Sequence, residues 1–365
     1  MTVALADLVA QYVSIKDEID TSIRAALESG RFILGPAVAD LEQSLSDYCG
    51  SQYAVGVNSG TDALLLALAG CGIGPGDEVI TTPFTFVATI EAISHVGATP
   101  VFADIDPATF NLDPEAAAGK IGPRTRAIMP VDLFGQMADR EAFADLAAEH
   151  DLILIYDSAQ AIGSAFNNKP IGAFGDAATL SFFPTKNLGA YGDGGMVLTN
   201  DAACAERVRR LRFHGSGGDY AYDAVGYCSR LDALQAAILS VKLRHLSEWT
   251  SARRRHAERY RQCLAETGLT LPVEAPGVFH TYHQFTVRSP ERDRLRAFLA
   301  DAGIQSGIYY PSPLHVQPAY KDLGYAEGDF PEAERACREV LSLPVHPDLT
   351  EAQLEHVCAT VRRFR

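Results

Sequence analysis

The sequence predicts an α/β protein with a mostly parallel central sheet and flanking helices in a large domain, followed by a small α+β domain. Between residues 53 and 200, short apolar runs alternate with helical stretches, which is typical of consecutive βαβ units. After about residue 232 this alternation stops and a long, basic helical stretch begins. The 365 residues also exceed what one hydrophobic core usually serves. We therefore predict a large domain at residues 1–240 and a small one at residues 241–365.

Two amphipathic helices are predicted ahead of the sheet. Residues 15–29 place an isoleucine or leucine at every fourth position, and Gly30 can end that helix. Residues 38–48 show a similar apolar face. Seven strand candidates follow, at residues 53–57, 78–82, 100–104, 127–133, 152–157, 179–183 and 196–200.

The remainder of the chain predicts a bridge between the domains and then the small domain. The stretch from Leu231 to Leu264 is basic and helical in pattern, and we interpret it as the bridge. The small domain is predicted to contain a strand at 282–288, a helix at 291–302, a strand near 304–310, and helices near 332–341 and 351–363.

The charge of the chain limits the classes of partner. The formal net charge is −15, so the chain has little general attraction for nucleic acid or for anionic lipid. A bound phosphate would therefore need a local site. The first twenty residues lack the pattern of a signal peptide, and no apolar run is long enough to span a bilayer. We expect a cytoplasmic protein without nucleic-acid or membrane partners.

The cysteines and histidines predict neither disulfides nor a metal site. The seven cysteines are widely spaced and form no CxxC pair, which favours reduced thiols. His280 and His283 form an HxxH pair on a strand-like run, but no third ligand accompanies them.

The block NSGTDALLLAL at residues 58–68 is the first candidate binding element. A strand candidate ends there and a helix begins, so free backbone N–H groups at Gly60 and Thr61 and the positive helix end point to one place. This arrangement predicts a phosphate site. An ordinary Ser/Thr helix cap explains the same residues equally well.

Two further residues add chemistry at the ends of other predicted strands. Asp157 closes the apolar run LILIY, where a carboxylate faces the crevice of an open parallel sheet, although a helix cap is the alternative. Lys186 follows a strand candidate in SFFPTKNLGAYGDGG, where a desolvated lysine can be nucleophilic, although a surface lysine is the alternative. A phosphate site, a buried acid and an amine together match the needs of pyridoxal phosphate (PLP).

These blocks and their order resemble the DegT/DnrJ/StrS sugar aminotransferases, which are fold type I PLP enzymes. The resemblance extends over nearly the whole chain, through the blocks GRFILGP, NSGTDAL, GPGDEVITTPFTFVAT, VDLFGQ, DSAQAIG, SFFPTKNLGAYGDGG, SRLDALQAAIL and HVQPAY. It implies PLP as the cofactor, with pyridoxamine phosphate as its aminated form, and an aminotransferase activity.

The resemblance also assigns roles to residues of this sequence. It makes Lys186 the lysine of the internal aldimine and the proton shuttle, and it makes Asp157 the partner of the pyridine nitrogen. Gln160 would contact the ring hydroxyl region, and Phe86 would stack on the ring, with core packing as the alternative for Phe86. The phosphate would be held by Gly60, Thr61 and Ser181.

The family pattern further implies a homodimer in which a polar residue of the neighbouring subunit completes the phosphate site. Many relatives carry Asn where this chain has Cys228, which leaves Ser229 and Arg230 as the polar candidates. We favour Arg230, because a guanidinium suits a phosphate or a sugar substituent. An ion pair within the same chain is the alternative for Arg230.

For the substrate, two loops resemble those that line a sugar-nucleotide cleft. They nominate Phe32 and Leu34 in GRFILGP, and Tyr310 and His315 in YYPSPLHVQP. The expected reaction moves an amino group from glutamate to a nucleotide-linked keto sugar, with C3 favoured over C4. An aminotransferase of small amino acids or keto acids, and a non-catalytic sensor with the same fold, are the alternatives.

Overall fold

The computed structural model describes residues 1–364 and shows a seven-stranded mixed sheet enclosed by helices. Its strands are β1 Tyr53–Val57, β2 Glu78–Thr81, β3 Thr99–Phe102, β4 Thr125–Ile128, β5 Ile153–Asp157, β6 Ala165–Phe166, β7 Lys169–Pro170, β8 Ala177–Ser181, β9 Gly195–Thr199, β10 Ser216–Gly218, β11 Ala221–Tyr222, β12 Val278–Phe279, β13 Phe285–Arg288 and β14 Val340–Leu343. Its α-helices are α1 Leu8–Ser14, α2 Lys16–Ser29, α3 Pro36–Cys49, α4 Gly60–Gly70, α5 Ala88–His95, α6 Pro114–Ala118, α7 Arg140–His150, α8 Ala202–Leu211, α9 Ala233–Leu264, α10 Arg292–Asp301, α11 Pro331–Glu339 and α12 Glu351–Arg363.

The main sheet has the strand order β1-β9-β8-β5-β4-β2-β3. Strand β9 is antiparallel to both of its neighbours, and the other six strands run in one direction. The predicted α/β class is therefore confirmed. Because β1, β5 and β8 are parallel, the loops that follow them leave from the same edge of the sheet. That edge carries the residues described in the next subsection.

Helices cover both faces of this sheet. On one face, α4, α5 and α8 bury the apolar side chains of β1 and β9, including Val55 and Val197. On the other face, α3, α7 and α9 pack over Tyr156 and Leu180. A sheet buried on both faces explains why its strands are nearly continuous apolar runs in the sequence.

Helix α9 extends from the large sheet to a second core. Its first half packs against α2 and α3, and its second half contacts α12. The second core contains Tyr260 of α9 together with Phe285, Leu341 and Val357. The predicted domain boundary at residues 240 and 241 lies inside this single helix, so the division into two domains stays a prediction.

The small core departs from the prediction at two places. The helix expected near residues 332–341 ends at Glu339, because Val340–Leu343 form a strand that pairs antiparallel with β13. The strand expected near 304–310 is reduced to two isolated bridges, from Ile304 to Val3 and from Gly307 to Ser342. No helix among residues 1–364 is long and apolar enough to cross a membrane.

The buried His280 makes the stability of this fold sensitive to acid. Its Nδ1 accepts a hydrogen bond from the Tyr282 amide at 2.9 Å, and burial lowers its pKa from 6.5 to about 3. The unfolded chain binds this proton near pH 6.5 and the folded chain does not, so stability is complete above that pH and is lost as the pH falls towards 3. We expect His280 alone to lower the free energy of unfolding by about 2 kcal/mol between pH 7 and pH 5.

Urea unfolding at pH 7 and pH 5 measures this contribution. In His280→Gln the difference in unfolding free energy between the two pH values should shrink by that amount. The matched variant His95→Gln alters an exposed histidine and should keep the wild-type difference. An unchanged difference in His280→Gln would contradict the assignment.

Candidate active site

A cavity of about 460 Å³ opens at the edge of the sheet where β1, β5 and β8 end. It brings together eight of the twelve residues nominated from the sequence. These are Gly60, Thr61, Phe86, Asp157, Gln160, Ser181, Lys186 and Tyr310. They come from five separate stretches of the chain, which the fold brings together.

The first turn of α4 forms one wall of the cavity. The Ser59 hydroxyl caps the helix by accepting a hydrogen bond from the Asp62 amide at 3.1 Å, so the helix-cap interpretation is correct for Ser59. Gly60 and Thr61 follow it and line the cavity. A Cβ atom on Gly60 would lie only 2.5 Å from the Cβ of Ser181, so only glycine lets the helix start so close to the end of β8. The N–H groups at a helix start and a nearby hydroxyl are the donors that suit an anion, and here Gly60, Thr61 and Ser181 line the same cavity.

Asp157 is buried at the end of β5, where it faces the cavity. Its Oδ2 accepts a hydrogen bond from the Thr89 hydroxyl at 2.8 Å, and its Oδ1 accepts one from the Ala159 amide at 3.2 Å. Burial raises the pKa of Asp157, and those two donors and the charge of Lys186 oppose the rise. A cationic N–H group in the cavity would stabilise this carboxylate further.

The fully buried ion pair between Asp132 and Arg140 lies next to Asp157, and the sequence analysis did not predict it. The two Asp132 oxygens accept hydrogen bonds from both terminal nitrogens of Arg140, at 2.8 and 2.6 Å. Asp132 also accepts one from the Ser158 hydroxyl at 2.5 Å, and its amide donates to the Asp157 carbonyl at 2.9 Å. The signal in the sequence was an acid next to the end of the apolar strand candidate at residues 127–133, in the block VDLFGQ.

Lys186 lies in the turn that follows β8, with its side chain in the cavity. The turn is closed by the Lys186 amide, which donates to the Phe183 carbonyl at 2.9 Å. Burial lowers the pKa of Lys186 to about 8, although the charge of Asp157 acts in the opposite direction. The amine is therefore partly neutral near physiological pH, which a nucleophile or a proton carrier requires. The alternative of a surface lysine does not agree with this placement.

Gln160 and two aromatic residues complete the cavity. The Gln160 Oε1 accepts a hydrogen bond from the Phe134 amide at 2.8 Å, and its Nε2 donates to the Tyr310 hydroxyl at 3.1 Å. The ring of Phe86 is 55% exposed and lies over the cavity, whereas its neighbour Phe84 is buried in the core. The core-packing alternative therefore applies to Phe84 and not to Phe86.

His283 also lines the cavity, and the sequence reasoning considered it only as a metal ligand. Asn187 donates through Nδ2 to the Thr281 carbonyl, so its Oδ1 faces His283 Nδ1 at 3.2 Å and accepts a hydrogen bond from the N–H of that nitrogen. Burial, and then the charge of Lys186, lower the pKa of His283 well below 6.5. Among residues 1–364, no three His, Cys, Asp or Glu side chains form a metal-binding group.

Four nominated residues lie outside the cavity of this chain, namely His315, Phe32, Leu34 and Arg230. The prediction of a substrate contact for His315 is not supported, because its side chain is 1% exposed and its Nε2 lies 3.1 Å from a carboxylate oxygen of Glu334. Phe32 is exposed, and Leu34 borders a groove between α2, α3 and α9.

Arg230 borders a second cavity of about 600 Å³, which shares Ser59 and Asp193 with the first. Its guanidinium donates to Cys228 Sγ at 3.0 Å and lies over the ring of Phe213. It forms no ion pair with any residue of the described chain, so the alternative of an ion pair within the chain is wrong. Ser229 is buried, with its hydroxyl 3.3 Å from Asn58 Oδ1, and it is not free to reach another subunit.

The donors and acceptors of the first cavity fit PLP. The α4 turn and Ser181 suit its phosphate, the Asp157 carboxylate suits a protonated ring nitrogen, and the Lys186 amine suits its aldehyde. The exposed face of Phe86 suits an aromatic ring.

Comparison with known proteins agrees with this fit. The sequence profile of the DegT/DnrJ/EryC1/StrS aminotransferase family matches residues 13–362. A protein of Geobacillus stearothermophilus named "Pleiotropic regulatory protein" is 50% identical, with 100% of this chain and 99% of that protein covered. A dTDP-3-amino-3,4,6-trideoxy-alpha-D-glucose transaminase of Streptomyces venezuelae is 45% identical, with 98% of this chain and 95% of that protein covered.

The fold is also shared with solved structures. The crystal structure of S. venezuelae DesV in complex with a ketimine intermediate matches with a TM-score of 0.97 and 45% identity. The match covers 99% of this chain and 98% of DesV.

Proposed function

Because the chain belongs to the DegT/DnrJ/EryC1/StrS aminotransferase family, we propose that it transfers an amino group from glutamate to C3 of a nucleotide-linked keto sugar. Family membership makes it a PLP-dependent aminotransferase. The observation that carries the proposal is the cavity that joins the Lys186 amine, the Asp157 carboxylate and the α4 turn.

Each of these groups has a separate task in the proposal. When bound, PLP supplies an electron sink for the carbon that loses its proton. Lys186 Nζ takes that proton from the donor and returns a proton to the sugar carbon that receives the amine. Its pKa of about 8 suits both directions of transfer. Asp157 keeps a proton on the ring nitrogen.

The remaining residues bind and orient. The N–H groups of Gly60 and Thr61 and the Ser181 hydroxyl hold the phosphate, and Phe86 covers one face of the ring. Gln160 contacts the ring hydroxyl region. Tyr310 lines the cavity beside Gln160, and we assign it to the sugar.

Support for C3 comes from a relative and not from the cavity itself. The S. venezuelae relative is named for a 3-amino sugar. Both half-reactions would use one site, so the amino donor and the sugar must react in turn.

Initial rates with glutamate and a nucleotide-linked 3-keto sugar test the proposal. We expect parallel double-reciprocal lines and an amino-sugar product by mass spectrometry. The 4-keto isomer is the matched control and should react at least about tenfold more slowly, since the acceptor carbon is misplaced. A faster reaction of the 4-keto isomer contradicts C3. Reaction only with free keto acids contradicts a sugar aminotransferase, and no turnover with any acceptor favours a sensor.

We further propose that two chains form a homodimer with shared sites. The Arg230 guanidinium borders the second cavity and pairs with no carboxylate of the described chain, and exposed aromatic side chains occur shortly before it in the sequence. These exposed residues are Phe213, Tyr220 and Tyr222. A second copy would cover them and place Arg230 near its phosphate site.

Mixing two defective variants tests this arrangement. Lys186→Ala lacks the amine, and Arg230→Ala is expected to bind PLP weakly. After subunit exchange at limiting PLP, roughly a quarter of the wild-type activity should return, since half of the dimers are hybrids with one intact site. Absence of recovery in a mixture shown to contain hybrids would exclude Arg230 as a shared residue.

A further inference from the structure

Helix α9 holds the loop that follows Lys186, although its own residues do not line the first cavity. The Gln235 side chain binds the Tyr191 backbone twice. Its Oε1 accepts from the Tyr191 amide at 2.9 Å, and its Nε2 donates to the Tyr191 carbonyl at 3.4 Å. This pair of bonds attaches the distal end of the loop to the first turns of α9.

Lys242 attaches the same loop two turns further along α9. Its side chain is fully buried, and its Nζ donates to the Gly189 carbonyl at 2.7 Å. The ammonium also lies 4.1 Å from the centre of the Tyr191 ring. No carboxylate of the described chain pairs with it, and burial lowers its pKa to about 8. A buried lysine without a counter-ion is destabilising, and the contacts of Lys242 with the Gly189 carbonyl and the Tyr191 ring offset part of that cost.

The loop between Phe182 and Tyr191 is compact, so fixing its Gly189 end against α9 also restricts the position of Lys186. The Ala190 amide donates to the Phe182 carbonyl at 2.8 Å, which closes the loop at its base. A Cβ on Gly189 would lie 2.3 Å from the Pro184 carbonyl oxygen, so the two sides of the loop are in direct contact. A contact that restricts the movement of Gly189 therefore also restricts the turn that contains Lys186.

We propose that Lys242 is a positioning residue for Lys186, which it holds in the cavity by fixing the Gly189 carbonyl and the Tyr191 ring against α9. The importance of Lys186 in this inference rests on the proposed function.

The positions of the anchoring residues along α9 support the positioning role of Lys242. Gln235, Lys242 and Arg253 are seven and eleven residues apart, which places them on one helix face. Arg253 donates to the carbonyls of Tyr282 and His283, so α9 also holds the segment that places His283 in the cavity.

Hydrogen exchange tests the restraint without relying on activity. In Lys242→Met, which keeps most of the apolar stem, the amides of residues 186–191 should exchange about tenfold or more faster than in the wild type. The measurement is made on the full-length protein with and without PLP. Arg244→Met is the matched control, because this exposed cation of α9 contacts Glu18 and not the loop. It should leave exchange in the loop unchanged.

Kinetics distinguish positioning from general stabilisation. Lys242→Met should lower kcat about tenfold while both KM values stay within about twofold, because the amine and not the binding surface is displaced. Lys242→Gln keeps a donor for the Gly189 carbonyl and should recover part of the loss. If Lys242→Met does not fold, the exchange in Lys242→Gln is compared with the wild type instead.

Three results would overturn the inference. The first is that amides 186–191 exchange at the wild-type rate in a folded Lys242→Met. The second is that exchange in this variant is faster by the same factor over the whole chain. The third is that kcat is unchanged although amides 186–191 exchange faster. If the wild type has no transaminase activity, the proposed function fails. The exchange result then still decides whether Lys242 holds the loop.

Discussion

Lys186→Ala is expected to lower the rate of amino transfer by about 10⁴-fold, because the variant loses the group that takes a proton from the donor carbon in one half-reaction and delivers a proton to the sugar carbon in the other. The amine is suited to that task by its place in the cavity and by its pKa of about 8. The rate is measured with saturating glutamate and a nucleotide-linked 3-keto sugar, in a protein whose unfolding midpoint matches the wild type.

Lys169→Ala is the matched control for this loss. Lys169 is an exposed lysine of β7, outside the cavity, and its variant should keep the wild-type rate. A small exogenous amine should restore part of the activity of Lys186→Ala, since it replaces the missing proton carrier. A rate within about a hundredfold of the wild type would show that another group moves the proton.

Asp132→Ala is expected to lower the free energy of unfolding by about 3–5 kcal/mol. The substitution leaves the Arg140 guanidinium fully buried without its counter-ion. It also removes the acceptor of the Ser158 hydroxyl, next to Asp157. Urea unfolding at neutral pH measures the loss.

Two further variants separate the buried charge from other effects. Arg124→Ala breaks an ion pair with Glu78 in which the arginine side chain is 73% exposed, and it should lose less than about 1 kcal/mol. The double variant Asp132→Leu with Arg140→Met removes both buried charges and should be more stable than Asp132→Ala. A loss below about 1 kcal/mol in Asp132→Ala would mean that water or a rearranged side chain satisfies Arg140.

The sequence was most informative where one local rule decides the structure. Strands buried on both faces are continuous apolar runs, so all seven strands of the main sheet were predicted, and their ends agree within two residues except that β4 ends at Ile128 and not at residue 133. The rule that ligands bind at the carboxyl edge of a parallel sheet then placed Gly60, Asp157 and Lys186 near one another. The cavity brings them together.

Residues whose surroundings depend on distant segments were predicted less well. Residues 340 and 341 were predicted as the end of a helix, but their pairing with β13 makes them part of the strand Val340–Leu343. His315 occurs in a block that resembles a substrate loop, but contact with Glu334 and Phe330 keeps it in the core. Lys242 has no local signal, since its partner lies 53 residues earlier in the chain.

The visible absorption spectrum of the purified protein with PLP tests the central claim most directly. We predict a yellow band that forms in the wild type and not in Lys186→Ala. Glutamate should bleach the band, and a nucleotide-linked 3-keto sugar should then restore it. A band that forms equally in Lys186→Ala, or one that no amino donor bleaches, would contradict the assignment of Lys186 as the reactive amine of an aminotransferase.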